Sequence, residues 1–279
     1  MVSTFKDIAV LLAREAGELI VAGREGTVEV ADTKSSSVDI VTVVDSASEE
    51  HIFRRLEELR PGDGFLGEEG GTRDSTTGIT WVVDPIDGTV NFLYNLPHYA
   101  VSIAAVSGNP TPGSWQVEAG VVFNPVTGEM FSAARGEGSF LGGQRLQISD
   151  PPPVAQALLA TGFAYSSAVR KEQARVMMGL LPEFRDIRRQ GTASLDMAYV
   201  ACGRVDLYFE RTLMPWDHAA GELIVTEAGG VIEGLAGMPP GREGLFAGHP
   251  VLVAQLQGKV RELEGDTPLA DLPGWGLDA

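Results

Sequence analysis

The sequence predicts a mixed α and β protein built of packed layers. Two observations lead there. Before Pro151-Pro152-Pro153, runs with strand character outnumber helical ones; after it, short strands and helices alternate. The length adds a third: 279 residues, 44% of them hydrophobic, lie near the upper limit for a single core, so one large domain or two fused subdomains fit best. The triple proline is a stiff connector. It divides an N-terminal α+β subdomain over 1–150 from a C-terminal α/β subdomain over 151–264, with 265–279 as a loose tail of little periodicity.

The elements follow from local pattern. Ser3 or Thr4 can cap a helix to about Val21, with Phe5, Ile8, Leu12, Leu19 and Ile20 on one face. Thr33 to Ser37 is a polar loop. Val38 to Val44 is β-branched and reads as a strand, ending at Asp45, which opens a helix to about Leu59. Pro61 to Gly64 is a turn. Phe65-Leu66-Gly67 leads into Glu68-Glu69-Gly70-Gly71. Ile79 to Val83, Ala100 to Val106 and Val117 to Phe123 read as strands, the last forming a hairpin with Met130 to Ala133. Gly136 to Gly143 is a tight return. Beyond the prolines, strands at Ala157–Thr161, Asp186–Arg189 and Val205–Phe209 alternate with helices over Ala168–Leu181, from Gly191 to Cys202, and from Trp216 to about Ala228. Short strands at Val231-Ile232 and Leu245-Phe246 precede a closing helix, Pro250 to Leu263.

The most informative stretch is Trp81 to Phe92. Pro85 cannot continue a central strand and biases Asp84 towards extended geometry, so Asp84 should end a buried strand. Asp87 follows three residues on, then Gly88-Thr89. Two carboxylates on one tight turn resist joint ionisation, and a hard divalent cation removes that cost. Carboxylates plus a backbone carbonyl are the oxygen ligands Mg²⁺ prefers. Gly88-Thr89 could open a short helix whose N–H groups meet phosphate. Elsewhere, Glu68-Glu69 alone reads as a solvated loop, and Asp217 alone as a helix cap. Glu210 should stand at the end of the Val205–Phe209 strand, where sites in α/β sheets gather.

Composition excludes some classes. The formal net charge of −17 argues against nucleic-acid phosphate or an anionic membrane as a direct partner. Cys202 is the only cysteine, so no intrachain disulfide forms, and a reduced setting follows. The first residues lack the pattern of a secretory leader, and no apolar run approaches ~20 residues. The expectation is a soluble cytoplasmic protein.

Asp84 to Phe92 resembles the signature of the inositol monophosphatase family, the Mg²⁺-dependent, lithium-sensitive sugar phosphatases. Gly67-Glu68-Glu69 is similar to the family's G-E-E segment. Pro215-Trp216-Asp217-His218-Ala219-Ala220-Gly221, then Glu227-Ala228-Gly229-Gly230, resembles its second signature. The resemblance runs from Lys34 to about Leu252. It implies a layered αβαβα sandwich, usually a homodimer, with two or three Mg²⁺ ions per active site. It implies that Glu68, Asp84, Asp87 and the Ile86 carbonyl bind metal, and that Asp217 joins Asp84 and Asp87 around a second ion. Asp87 and Asp217 thereby also face the substrate. Gly88 and Thr89 would bind phosphate, with Asp45 pairing with Thr89 and Lys34 near the phosphate. Ala193 and Glu210 match positions that touch inositol hydroxyls. Glu68, Thr89 and Asp45 are the candidates for orienting the attacking water. Val90 departs from the family, where a second threonine is usual. The implied reaction is hydrolysis of inositol monophosphate to inositol and phosphate. The alternatives are fructose 1,6-bisphosphate, histidinol phosphate or a nucleotide 3′-phosphate as substrate, or an added non-catalytic role in the transcription machinery.

Overall fold

A computed structural model of the chain describes residues 4–24, 30–33 and 40–264. Lys34 and the segment from Gly265 lie outside the described residues. In chain order the elements are α1 (Phe5–Gly23), β1 (Val30–Thr33), β2 (Ile40–Thr42), α2 (Val43–Leu59), β3 (Gly64–Gly67), β4 (Thr72–Arg73), β5 (Ile79–Asp87), α3 (Thr89–Leu93), β6 (Ala100–Gly108), β7 (Trp115–Asn124), β8 (Glu129–Ala134), β9 (Gly138–Leu141) and β10 (Gln144–Arg145). Beyond the prolines come β11 (Leu158–Thr161), α4 (Ser167–Leu180), β12 (Asp186–Arg188), α5 (Ala193–Ala201), β13 (Leu207–Glu210), α6 (Pro215–Glu227), β14 (Val231–Gly234), β15 (Leu245–Gly248) and α7 (Pro250–Glu264).

The strands form an eight-stranded sheet in the order β10-β9-β8-β7-β6-β5-β3-β4, a five-stranded sheet in the order β12-β11-β13-β15-β14, and a small β1–β2 pair. Side chains alternate across each strand, and this sorts the core into layers. Trp81 and Val83 of β5, with Ile103 and Ala105 of β6, pack against Ile8, Leu12 and Ile20 of α1 and Ile52 and Leu56 of α2. Val82 and Ala104 point the other way, onto Leu195 and Met197 of α5 and Ala220 and Ile224 of α6. Ala160 and Tyr208 of the smaller sheet meet the same two helices. Leu159, Leu207 and Phe209 face outward onto Val176 and Leu180 of α4 and Leu252 and Leu256 of α7. The stacking is therefore helices, sheet, helices, sheet, helices: the αβαβα sandwich.

The central pair, α5 and α6, must be covered on both sides. Their sequences suit that place: α5 is buried over almost its whole length, as expected for a helix without a polar face. Small residues permit the close approach. A Cβ on Gly120 of β7 would lie 2.7 Å from the Ala220 carbonyl oxygen, so only glycine lets α6 sit this near the sheet.

Three expectations change. Pro85 does not end β5: the strand runs to Asp87, and its pairing with β6 slips between Asp84 and Asp87. This is possible because the parallel partner β3 stops at Gly67, opposite Val83, so Pro85 lies beyond that ladder, where its missing N–H costs nothing. Asp45 does not cap α2. Thr42 is the N-cap and Asp45 the third helical residue, with the Thr42 hydroxyl and the Asp45 carboxylate satisfying each other's backbone N–H groups. The β-branched run looked like strand throughout, but the capping box starts the helix inside it. Finally, β4, β9 and β10 are short strands at the two ends of the large sheet without a run of their own; pairing to a neighbour creates them.

Candidate active site

Strand ends and helix starts meet at one place. β3 and β5 run parallel, as do β11, β12 and β13. Their C-terminal ends deliver Glu68, Asp84, Ile86, Asp87, Gly162, Arg189 and Glu210 to a cavity of about 210 Å³. The starts of α5 and α6 add Ala193, Trp216 and Asp217 from the middle layer. The cavity thus lies where the two sheets and the central helices converge, at carboxyl strand ends as α/β geometry favours.

The three aspartates are aimed by backbone N–H groups, and Glu68 is placed by its own backbone. Asp84 Oδ1 accepts the Ile86 N–H at 3.0 Å, a local turn that locks the carboxylate as the strand slips. Asp87 accepts the N–H groups of Ala193, at 3.3 Å, and Ser194, at 2.6 Å, from the first turn of α5. Asp217 is the third residue of α6 and accepts the Met214 N–H at 2.6 Å. Glu68 follows β3 directly, and its N–H donates to the Val83 carbonyl at 3.1 Å. Three separate stretches therefore bring four carboxylates to one cavity.

Electrostatics there favours a cation. Burial pushes the Asp84 carboxyl well above its ordinary range, and Glu68, Asp87 and Asp217 push it further. Burial also raises Asp87 to about 6. Asp217 moves the same way, from burial first and then from Glu68 and Asp87. Carboxylates that destabilise one another's charged forms are the setting in which a bound divalent ion is most favourable. The four side chains offer only oxygen, and Ile86, whose carbonyl would add another, is also in the lining, so the residues fit Mg²⁺. Among the described residues, no three acidic, histidine or cysteine side chains are drawn into a closed coordination shell as they stand. The four carboxylates line a shared space that an ion would have to draw together.

Behind this wall lies a second layer. The Thr89 hydroxyl donates to Asp45 Oδ1 at 3.0 Å and to the Ile86 carbonyl at 3.1 Å. Burial lifts Asp45 to about 6. Gly88 precedes α3 with φ +95°, and a Cβ there would lie 2.5 Å from the Thr192 Oγ1, so both backbone and space require glycine. Asn91 ties this turn across the molecule, donating to the carbonyls of His98 at 2.7 Å and Gln190 at 2.8 Å.

At the other end, Glu210 closes β13 and accepts the Tyr208 hydroxyl at 2.6 Å; burial raises its carboxyl to about 7. Ala193 lines the cavity, with its N–H turned to Asp87. Asp45 stands behind Thr89 rather than in the lining, and Val90 does not line the cavity. Burial drops the His98 imidazole to about 4, which keeps it neutral, and burial raises the Cys202 thiol, consistent with packing for both.

Sequence reasoning missed Arg189, Arg242, Thr212 and the Phe163–Ser166 wall, all in the lining. Arg189 stands two residues before the singled-out Gly191-Thr192-Ala193, so that segment could have flagged it. Arg242 comes from an irregular loop and carried no signal. The wall is set by α4: Gln173 accepts the Ala164 N–H at 2.9 Å, and Arg170 donates to the Ala164 carbonyl at 3.0 Å.

Residues 1–264 match the profile of the inositol monophosphatase family. The chain belongs to this family. An inositol monophosphatase relative named inositol-1-monophosphatase SuhB, from Mycobacterium tuberculosis, is 42% identical over 250 residues, covering 85% of this chain and 83% of the relative. Nus factor SuhB of Escherichia coli K12 is 40% identical over 263 residues, covering 92% of this chain and 95% of the relative. The solved structure of extragenic suppressor protein suhB from Bartonella henselae superposes with a TM-score of 0.85 at 33% identity, covering 93% of this chain and 99% of that one. Inositol monophosphatase family members act on small phosphomonoesters and are generally metal-dependent, which agrees with the oxygen-lined cavity. Among the described residues, no helix is long and apolar enough to cross a membrane.

Proposed function

We propose that the chain is a Mg²⁺-dependent phosphomonoesterase that hydrolyses inositol monophosphate to inositol and phosphate. One observation carries the reading: Glu68, Asp84, Asp87 and Asp217, from three separated stretches, line the same cavity as Gly88, Thr89 and Glu210. Glu68, Asp84, Asp87 and the Ile86 carbonyl would hold one ion, and Asp84, Asp87 and Asp217 another. Bound Mg²⁺ supplies a lowered water pKa and neutralises charge on the phosphate and the departing oxygen.

The chain's own groups do the rest. Water attacks phosphorus, the bond from phosphorus to the ring oxygen breaks, and that oxygen leaves with a proton as the inositol hydroxyl. Thr89 points its proton at Asp45 and the Ile86 carbonyl, which leaves its oxygen lone pairs to accept a hydrogen bond from the water. Glu68 faces the same space and can take the water's other hydrogen bond. Gly88 lets the backbone approach the phosphate. Glu210, at the far end, accepts ring hydroxyls. The helix-start amides of α5 hold Asp87 still while charge moves.

Phosphate release with and without Mg²⁺, over inositol monophosphate, fructose 1,6-bisphosphate, histidinol phosphate and a nucleotide 3′-phosphate, tests this. The expected result is chelator-sensitive release, fastest on inositol monophosphate. Unchanged release after chelation would overturn the metal reading. A faster rate on another ester would reassign the substrate.

The E. coli relative's name, Nus factor, favours a second reading. In it the same fold also serves the transcription machinery, which cuts against the charge-based expectation of no direct nucleic-acid partner. Co-purification of transcription components with an Asp84→Asn variant would separate that role from catalysis.

A further inference from the structure

We propose that Glu49 is a positioning residue for Glu68, so that one face of α2 places both groups that flank the attacking water. The proposal rests on the reading above. Glu49 lies one helical turn beyond Asp45, on the same face, about 6 Å along the axis. Asp45 reaches the Thr89 hydroxyl at 3.0 Å. Glu49 reaches the loop after β3: its Oε2 accepts the Glu69 N–H at 2.8 Å and its Oε1 the Gly71 N–H at 2.9 Å. The side chain is buried, at 6% exposure.

These bonds fix the loop that carries Glu68. Its own N–H is tied to the Val83 carbonyl of β5, and the Gly67 N–H donates to the Gly71 carbonyl at 2.8 Å. Glu68 is therefore held by β5 before it and by α2 immediately after it. The fit leaves no slack. A Cβ on Gly67 would come 2.2 Å from Glu49 Oε2, and one on Gly71 would come 2.7 Å from Oε1. The glycines around the acidic pair thus make room for the carboxylate of α2. A carboxylate is the right group, because it offers acceptors on both oxygens; a carboxamide would turn a donor towards one of the two N–H groups. Sequence reading alone leaves Glu49 as one more charged residue of a helix.

The test compares Glu49→Gln with a control, Glu50→Gln, which removes an exposed charge from the same helix. Orienting partners of this kind are worth about tenfold to a hundredfold in metal affinity or activity. Glu49→Gln should weaken Mg²⁺ binding by calorimetry and lower kcat by about that factor, with little change in KM; the control should change neither. The decisive comparison is in a Glu68→Gln background. If Glu49 acts through Glu68, adding Glu49→Gln there costs almost nothing more. Full additivity, or wild-type kcat and Mg²⁺ affinity with only a lower melting temperature, would overturn the proposal and leave Glu49 as a structural clamp. If Glu49→Gln does not fold, Glu49→Asp takes its place in both backgrounds, with the same kcat and Mg²⁺-affinity comparison deciding. Amide hydrogen exchange on the wild-type protein checks the two bonds the proposal requires: exchange at Glu69 and Gly71 at the rate of a free loop would sink it. Wild-type protein that neither binds nor needs Mg²⁺ would instead remove the functional reading, while the exchange result at these two amides stands on its own.

Discussion

Asp84 shows how one residue can be costly to the fold and central to the site. It is 1% exposed, and burial and three acidic neighbours oppose its charge. Asp84→Asn keeps the shape and removes the repulsion. The expected outcome has two parts: Mg²⁺ binding and catalysis fall together, by at least about a hundredfold if the ion supplies several kcal/mol, while stability measured without metal stays or rises. Calorimetry and steady-state rates on one preparation check both; full turnover by the variant would remove the metal mechanism. Glu210 belongs to the same scale. Its loss removes a hydrogen bond to a charged group, worth roughly 1.5–3 kcal/mol. Glu210→Gln should therefore lower kcat/KM for inositol monophosphate about tenfold to a hundredfold. The loss on p-nitrophenyl phosphate, which has no ring hydroxyls, should be much smaller. Equal losses on both substrates would show that Glu210 supports the site as a whole. The metal and phosphate candidates were legible because two spaced motifs carry them; Arg242 was not, because only packing brings its loop to the cavity, and Arg189 was signalled only by its neighbour segment Gly191-Thr192-Ala193.

At the scale of elements, Asp63 joins three pieces of the large sheet's outer layer. It is fully buried and accepts from Arg60 at 2.8 Å, Thr77 at 2.6 Å and the Trp81 indole at 3.0 Å. Burial pushes its carboxyl up, but the Arg60, Thr77 and Trp81 donors outweigh burial and hold it below the ordinary value. A carboxyl with a lowered folded pKa stabilises the protein above its unfolded pKa, and that contribution fades as pH falls through the lowered value. Asp63→Asn should thus cost stability at pH 7 and little at the acid end, with wild type and variant converging below about pH 4. Asp63→Ala also leaves the buried indole N–H unpaired and should cost about 2–3 kcal/mol at neutral pH. Denaturant midpoints across pH measure both, and a pH-independent gap for the Asn variant would refute the charge argument. Elements differed in legibility for the same kind of reason. α1 was readable because its capping box and apolar face are local. The start of α2 was not, because β-branched residues suggested strand and the Thr42–Asp45 cap decided otherwise. β5 passes through Pro85 only because its neighbour ends first, which no local pattern reveals.

For the whole molecule, the carboxylates belong to both halves of the stack. Glu68, Asp84 and Asp87 extend from the large sheet, whereas Asp217 comes from the middle helices and Glu210 from the small sheet. An ion held among them binds the folded state alone. At a hundred times its dissociation constant it should add about 2.7 kcal/mol. For a chain of this size that raises the melting temperature by about 5–10 °C. Melting curves with Mg²⁺ and with chelator check this. Asp217→Asn should abolish most of the shift, and an undiminished shift in that variant would place the ion elsewhere.

The acidic character followed from composition, and the motifs and the layered class followed from the sequence by itself because each rests on spacing along the chain: alternation for buried strands, helical periodicity for packed faces, and paired carboxylates beside a glycine for a cation and a phosphate. The cavity, the pinning of Asp87 by α5, the reach of Asp45 and Glu49 from α2 to Thr89 and the loop after β3, and the arginines in the lining were decided only by the tertiary structure. Those contacts join residues far apart in sequence, and their geometry depends on how closely α5 and α6 pack between two sheets, a quantity set by the whole core at once.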